Sequence, residues 1–226
     1  MTKRVVLLFL DFGPLVSNLA DMRIVITAGA TREYIDPVRF ISNASTGKMG
    51  YALARAAIKA GHKVTLVTGP TQLRPPKEAK VVNVETGAQM FDAVKKFFAR
   101  CDCLIMAAAV ADYTPAGKSK TKIKKGPGPF TLELKTTPDI AKWAGRNKKK
   151  QIVVGFALED KSIRKNAERK LKEKNLDMII ANTPAAIGSE KASVQIKTGV
   201  TTWTKLPHAA KTIVAKRIIR MIGNLS

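Results

Sequence analysis

Acidic residues are scarce in this chain: 17 Asp and Glu face 40 Lys and Arg, a formal charge of +23 over 226 residues. Such a field draws polyanions, whether nucleic acid, an anionic membrane or phosphorylated small molecules. Cysteine and histidine are nearly absent. Cys101 and Cys103 form a C-x-C too tight for an ordinary disulfide, and His62 and His208 lie far apart. A disulfide framework and a thiolate–imidazole metal centre are therefore excluded, and buried thiols in a reducing cytoplasm are expected. Aromatic residues make up only 6% and do not interleave with the lysines, which argues against base-stacking recognition of nucleic acid. The apolar run RVVLLFL (4–10) ends at Asp11, far short of the roughly 20 residues a membrane span needs. It has the outline of a signal peptide, but no A-x-A cleavage site follows. Residues 1–21 are read as a leader or non-core extension, and 22–226 as a single domain.

Within that domain, short apolar runs alternate with helical patterns. Strands are predicted at 23–29, 63–70, 79–84, 103–111 (its tail in a loop), 130–135, 151–157 and 176–182. Helices are predicted at 46–60, 87–100, 138–146, 161–174 and 208–222, and a hairpin over 192–205 turning at Thr198-Gly199. The alternation predicts an α/β fold: a Rossmann-like, three-layer arrangement with a mostly parallel twisted sheet, helices on both faces and a C-terminal β-hairpin plus helix. Ligands of such sheets bind outside the carboxyl ends of the strands, at the switch point.

Two familiar phosphate motifs are missing. GATREY follows the first strand where a dinucleotide fold carries G-x-G-x-x-G, and Ser42 and Met49 occupy positions that a P-loop fills with Gly and Ser or Thr. These absences weigh against an NAD(P)-linked oxidoreductase and a P-loop NTPase. What remains is a helix start, Ser45-Thr46-Gly47, which suits either an anion seat or a capped helix with close-packed glycines. Residues 29–43 separate strand and helix by more than the usual 2–6 residues, and carry Arg32, Asp36, Arg39 and Asn43. KSKTKIKK (118–125) holds five lysines in eight residues. It is either a solvated loop or a mobile lid spanning about 114–129, with Pro and Gly at its hinges. On the helix at 161–174, Lys170 and Lys174 share a face, toward either solvent or a ligand.

Taken together, ITAGATREYIDPVRFISNASTGKMG, AAAVADY, KIKK, TPDI, VVGFALE and KNLDMIIAN occur in an order and spacing that resembles the phosphopantothenoylcysteine synthetase family over residues 23 to about 220. The resemblance implies a ligase of coenzyme A biosynthesis that joins 4'-phosphopantothenate to L-cysteine through an acyl-nucleotide, using CTP, or alternatively ATP, with Mg2+. It implies a cytoplasmic homodimer, with metal ligands left unknown. Carried over by motif, Asn43 stabilises the acyl-nucleotide and Lys122 serves nucleotide binding and turnover. Met106, Ala107, Ala108, Asp112, Pro138, Asp139, Ile140, Ala141, Phe156, Lys170 and Lys174 contact the nucleotide. Arg39, Asn43, Ala44 and Ser45 contact the substrate, Arg39 near its phosphate. The more remote alternative is a basic nucleic-acid-binding protein on the same fold.

Overall fold

The computed structural model describes residues 21–199 and 201–225; the expected leader, apart from Asp21, lies outside them. The first half of the chain builds β1 (Arg23–Ala28), the short pair β2 (Arg32–Tyr34) and β3 (Phe40–Ser42), α1 (Lys48–Lys59), β4 (Lys63–Thr68), β5 (Lys80–Asn83), α2 (Gly87–Phe98) and β6 (Cys103–Met106). The second half adds a pair, β7 (Tyr113–Pro115) and β8 (Leu134–Thr136), then α3 (Ile140–Asn147), β9 (Ile152–Leu158), α4 (Ile163–Glu173), β10 (Met178–Asn182), β11 (Lys191–Thr198), β12 (Thr204–Ala210) and α5 (Lys211–Gly223).

Eight strands form one sheet in the order β12-β11-β10-β9-β6-β1-β4-β5. The six from β10 to β5 run parallel, and β11 and β12 extend it antiparallel. From β1 the chain walks outward through β4 and β5, then returns and walks the other way through β6, β9 and β10. The switch point therefore lies between β1 and β6, the place the doubly wound rule assigns to a ligand.

Both faces of the parallel strands are covered, which explains their nearly unbroken apolar sequences. Ile24, Ile26, Leu66, Ile105, Val154 and Ile180 pack under α1 and α5. The intervening Val25, Val67, Leu104, Val153 and Ile179 pack under α2, α3 and α4, as the two-residue period of a strand requires. Local signals agree. Thr86 and Gln89 form a reciprocal capping box at the start of α2, and Asp139 caps α3 through the Lys142 N–H at 3.0 Å. By contrast, α1 and α4 begin without a side-chain cap.

Three expectations need correction. The stretch 130–135 is not a strand of the main sheet: only Leu134–Thr136 is extended, paired with β7. Its side chains are exposed on both faces, so nothing offers the stretch a burial surface. The C-terminal hairpin turns more widely than Thr198-Gly199, because the Thr198 and Thr201 hydroxyls bond each other at 2.8 Å and close a longer loop. Finally, 208–210 belongs to β12, with Ala209 and Ala210 paired to Ala192 and Lys191, so α5 starts at Lys211. Pro207 is tolerated there because β12 is an edge strand.

Candidate active site

At the switch point β1 and β6 continue past their last ladder bonds through a parallel bridge between Ala30 and Ala109. Two buried threonines of the β1 end shape the chain leaving β6. Thr27 Oγ1 accepts from Ala108 N–H at 3.1 Å, and Thr31 Oγ1 accepts from Ala111 N–H at 3.0 Å. Met106 is buried, while Ala107 and Ala108 are half-exposed at the rim. Asp112 is exposed beyond them, and its carboxylate has no ion pair among the described residues. Neither threonine stood out in the sequence, since a lone Thr at a strand end carries no signal of its own.

Close backbone packing sets the floor of this rim. Gly47 precedes α1 with φ +77°, and a Cβ there would lie 3.1 Å from Gly29 Cα; one on Gly69 would lie 2.3 Å from Ala30 O. Only glycine fits both positions without displacing main chain. The two readings of the helix start thus hold together: the glycines are close-packed, and the uncapped α1 N-terminus remains an anion-favouring end. Ala44 is exposed and Ser45 half-buried just before it.

Asn43 stands between these features. Its Nδ2 donates to Val110 O at 3.1 Å and Ala109 O at 3.3 Å, fixing the carboxamide against the β6 exit. Its Oδ1 forms no hydrogen bond among the described residues. The long 29–43 connection is a small β2–β3 hairpin tied down by Arg32 N–H to Glu85 O at 2.7 Å and by Gly87 N–H to the buried Glu33 at 2.8 Å. Buried Glu33 also supplies a carboxylate to the N-terminus of α2, where negative charge is favourable.

On the β9 side, Phe156 is half-buried near the strand's carboxyl end. Lys170 Nζ meets Glu159 Oε1 at 2.6 Å, while Asn166 Nδ2 donates to Glu159 Oε2 at 2.9 Å. Lys174 Nζ lies 3.0 Å from Asp139 Oδ2, beside exposed Pro138, buried Ile140 and half-buried Ala141. Lys170 of α4 and Lys174 at its C-cap therefore turn toward the loop after β9 and the PDI turn rather than outward. Glu159 and Asn166 went unnoticed in the sequence; their role exists only through the fold.

Arg39 and Lys122 come from the two small hairpin regions. Arg39 forms an ion pair with buried Asp36 and donates to Ile123 O at 2.8 Å, with 48% of its side chain exposed. Lys122 is exposed, and its Nζ has no partner among the described residues. The run around it is docked on the β2–β3 hairpin, while Cβ atoms at Gly117, Gly126 and Gly128 would meet open space.

No group of three or more His, Cys, Asp and Glu side chains among the described residues could hold a metal ion. Asp139 and Glu159 are engaged by lysines, whereas the exposed Asp112 and Asp160 have no ion pair among the described residues. A cation at this edge would therefore draw its ligands mainly from a bound molecule and not from a protein cage. Cys101 and Cys103 are free and buried, and burial pushes the Cys101 thiol up to about 12 and Cys103 well above its ordinary value, which favours the neutral thiol at both positions. No helix among the described residues is long and apolar enough to cross a membrane.

The strand order and this rim define a doubly wound α/β protein with its ligand edge at the switch point. Residues 19–225 match the family described as DNA/pantothenate metabolism flavoprotein C-terminal domain, and the chain belongs to that family. It is 46% identical over 213 residues to the coenzyme A biosynthesis bifunctional protein CoaBC of Bacillus subtilis (strain 168), covering 92% of this chain and 52% of that protein. It is 47% identical over 213 residues to a cysteine/cysteine sulfinic acid decarboxylase of an unknown prokaryotic organism, covering 92% of this chain and 59% of that one. The chain thus spans little more than half the length of these relatives. The crystal structure of the C-terminal domain of a CoaBC superposes with a TM-score of 0.80 at 39% identity, covering 92% of this chain and 98% of that domain.

Proposed function

We propose that this chain is the phosphopantothenate–cysteine ligase unit of coenzyme A biosynthesis. The observation that carries the reading is the convergence on one sheet edge of a pinned carboxamide, Asn43, an uncapped helix start, and Lys170 and Lys174. The similarity to a C-terminal domain over nearly its whole length supports the ligase half of a bifunctional relative and not its other half.

In this reading the carboxylate of 4'-phosphopantothenate attacks the α-phosphorus of a nucleoside triphosphate, CTP or ATP. A P–O bond forms and pyrophosphate leaves. The amine of L-cysteine then attacks the acyl carbon, a C–N bond forms, and the nucleoside monophosphate leaves with the electron pair of the broken C–O bond. Magnesium on the triphosphate supplies charge neutralisation. The protein's part is positioning and electrostatics. Phe156 and the 106–108 strand end flank the nucleotide, with Asp112, Lys170, Lys174 and the 138–141 turn around it, and Lys122 reaches its phosphates from the loop. Asn43, with Ala44 and Ser45 beside it, faces the acyl-nucleotide. Pinning Nδ2 leaves Oδ1 as a neutral acceptor for the attacking amine. Arg39 presents its exposed edge to the substrate phosphate.

A homodimer fits the surface. Val38, Phe40, Tyr113, Phe130 and Leu134, large apolar side chains on the two small hairpins and the approach to β8, are all at least 40% exposed, and such clusters mark interfaces.

The test is pyrophosphate release with 4'-phosphopantothenate, with and without cysteine, CTP and ATP being supplied separately. Release that requires phosphopantothenate is expected, and the effective nucleotide identifies the co-substrate. Carbon dioxide from cysteine without pyrophosphate would favour a decarboxylase. Silence in both assays, with a salt-dependent affinity for nucleic acid, would favour the basic-surface alternative.

A further inference from the structure

The Lys-rich run is fastened to the β2–β3 hairpin mainly by its main chain; of its lysine head groups only that of Lys118 takes part among the described residues. Ser119 N–H donates to Ile35 O at 2.9 Å, Ile123 N–H to Asp36 Oδ2 at 3.2 Å, and Ile123 O accepts from Arg39 Nη2 at 2.8 Å. Lys118 adds its ammonium over the Tyr34 ring, 5.0 Å from the centroid.

Asp36 is the hub of this contact. Its Oδ1 accepts from Val38 N–H and Arg39 N–H, both at 2.8 Å, while Oδ2 accepts from Arg39 Nε at 2.9 Å and from Ile123. The carboxylate is wholly buried although Pro37, Val38 and Arg39 around it are exposed. An Asp closes a turn of this kind with its own neighbouring amides. The additional donor, from a residue 87 positions away, is not needed for the turn. It is needed to replace water around a buried charge, and it makes the docked loop part of that replacement. The Arg39 guanidinium holds the Asp36 carboxyl far below the usual carboxylate range, so the grip is fully charged near neutral pH.

We propose that Asp36 is a positioning residue for Lys122. Together with Arg39 it takes both main-chain polar groups of Ile123, whose N–H belongs to the peptide bond shared with Lys122. The backbone is thereby fixed at the base of that lysine. The same hairpin runs on through β3 to Asn43, so the lysine loop and the substrate wall are anchored on one element. This rests on the reading of Lys122 as the nucleotide lysine.

Asp36→Asn keeps Oδ1 for the turn but puts an NH2 where Oδ2 accepted from Ile123 and Arg39. Two readouts on the full chain separate the possibilities: amide hydrogen exchange across 116–128 followed by NMR, and the rate of phosphopantothenate-dependent pyrophosphate release. In the unsubstituted protein the Ile123 amide should exchange about tenfold or more slowly than an open loop amide, and Asp36→Asn should abolish that protection. The variant's kcat should fall about tenfold or more, and adding Asp36→Asn to Lys122→Gln should cost no further rate. A slow Lys122→Gln enzyme beside an unimpaired Asp36→Asn enzyme overturns the positioning role alone. A Lys122→Gln enzyme at full rate overturns the role of the lysine itself, whatever the exchange shows. If Asp36→Asn does not fold, the unsubstituted protein decides: an Ile123 amide exchanging like free peptide overturns the proposal.

Discussion

Two groups of lysines border the same sheet edge and are placed by opposite means. On α4 and at its C-cap, Lys170 and Lys174 each sit against a carboxylate from another segment, Glu159 and Asp139. In the 118–125 run none of the five lysines has a carboxylate partner among the described residues, and the run is docked through Ser119, Ile123 and the Tyr34 ring. Side-chain pairing fixes the first group and spends part of its charge before any ligand arrives. Docking through Ser119, Ile123 and the Lys118–Tyr34 contact places the second group and leaves Lys122 unpaired among the described residues, free in the proposed reading for a polyphosphate. In the proposed reading the same residue type is a structural brace in one place and ligand-directed charge in the other. A formal charge of +23 conceals this division completely.

The largest expected effect lies at Asn43, which belongs to neither group. Asn43→Asp would set a carboxylate against Ala109 O and Val110 O, the carbonyls that Nδ2 now satisfies, and add a like charge beside the acyl phosphate. Product formation should fall by on the order of a thousandfold, with nucleotide affinity little changed. Unchanged turnover would remove Asn43 from the chemistry.

Next comes the unpaired group. Lys122→Gln should cost on the order of a hundredfold in kcat, the scale of one electrostatic donor to a developing charge, and should leave the urea midpoint within about 0.5 kcal/mol of the parent. A paired lysine should show the reverse balance. Lys170→Met leaves Glu159, 11% exposed, with only Asn166 as donor. It should destabilise by about 1–3 kcal/mol and raise the nucleotide KM by about tenfold. Equal stability losses in both variants would erase the distinction between brace and ligand-directed charge.

Much of this was legible in the sequence because burial wrote it there. The apolar runs of β1, β4, β6, β9 and β10 are covered on both faces, and the capping residues Thr86 and Asp139 mark helix starts directly. The site positions Asn43, Asp112, Phe156, Lys170 and Lys174 came from motif resemblance, and the fold brings them to one edge. The unread parts depend on contacts between distant segments. Glu159 pairs with Lys170 across 11 residues and Asp36 bonds Ile123 across 87, separations with no periodic signature. Segment 130–135 misled because Phe130, Leu132 and Leu134 alternate like a half-buried strand, while the fold leaves their surroundings open. The hairpin turn misled because a Gly-containing turn signal says nothing of the Thr198–Thr201 hydroxyl pair.

Acid should sharpen the contrast further. The depressed Asp36 carboxyl contributes stability that is present above the ordinary carboxylate range of about 4 and is lost as pH falls through its folded value. Thermal melts of the parent should therefore drop below about pH 4 more steeply than those of Asp36→Asn, which has no such group to protonate. Parallel curves would mean that Asp36 is ionised equally well in the unfolded chain.

The smallest effect is expected from the outer lysines of the docked run. Lys124 and Lys125 are exposed, lie past the Ile123 anchor and have no partner among the described residues. Changing both to Gln removes two charges from the ligand's approach without touching Lys122 or the latch. Stability should stay within about 0.5 kcal/mol and kcat should be unchanged. At low ionic strength kcat/KM for the triphosphate should fall by about two- to threefold, because steering acts over a Debye length of roughly 10 Å at 0.1 M salt. That deficit should shrink toward nothing as salt rises to about 0.5 M, where exposed charges are screened within a few ångströms. A deficit that persists at high salt would mean that these lysines touch the ligand directly, and the contact region would then extend past Ile123 to the far end of the run.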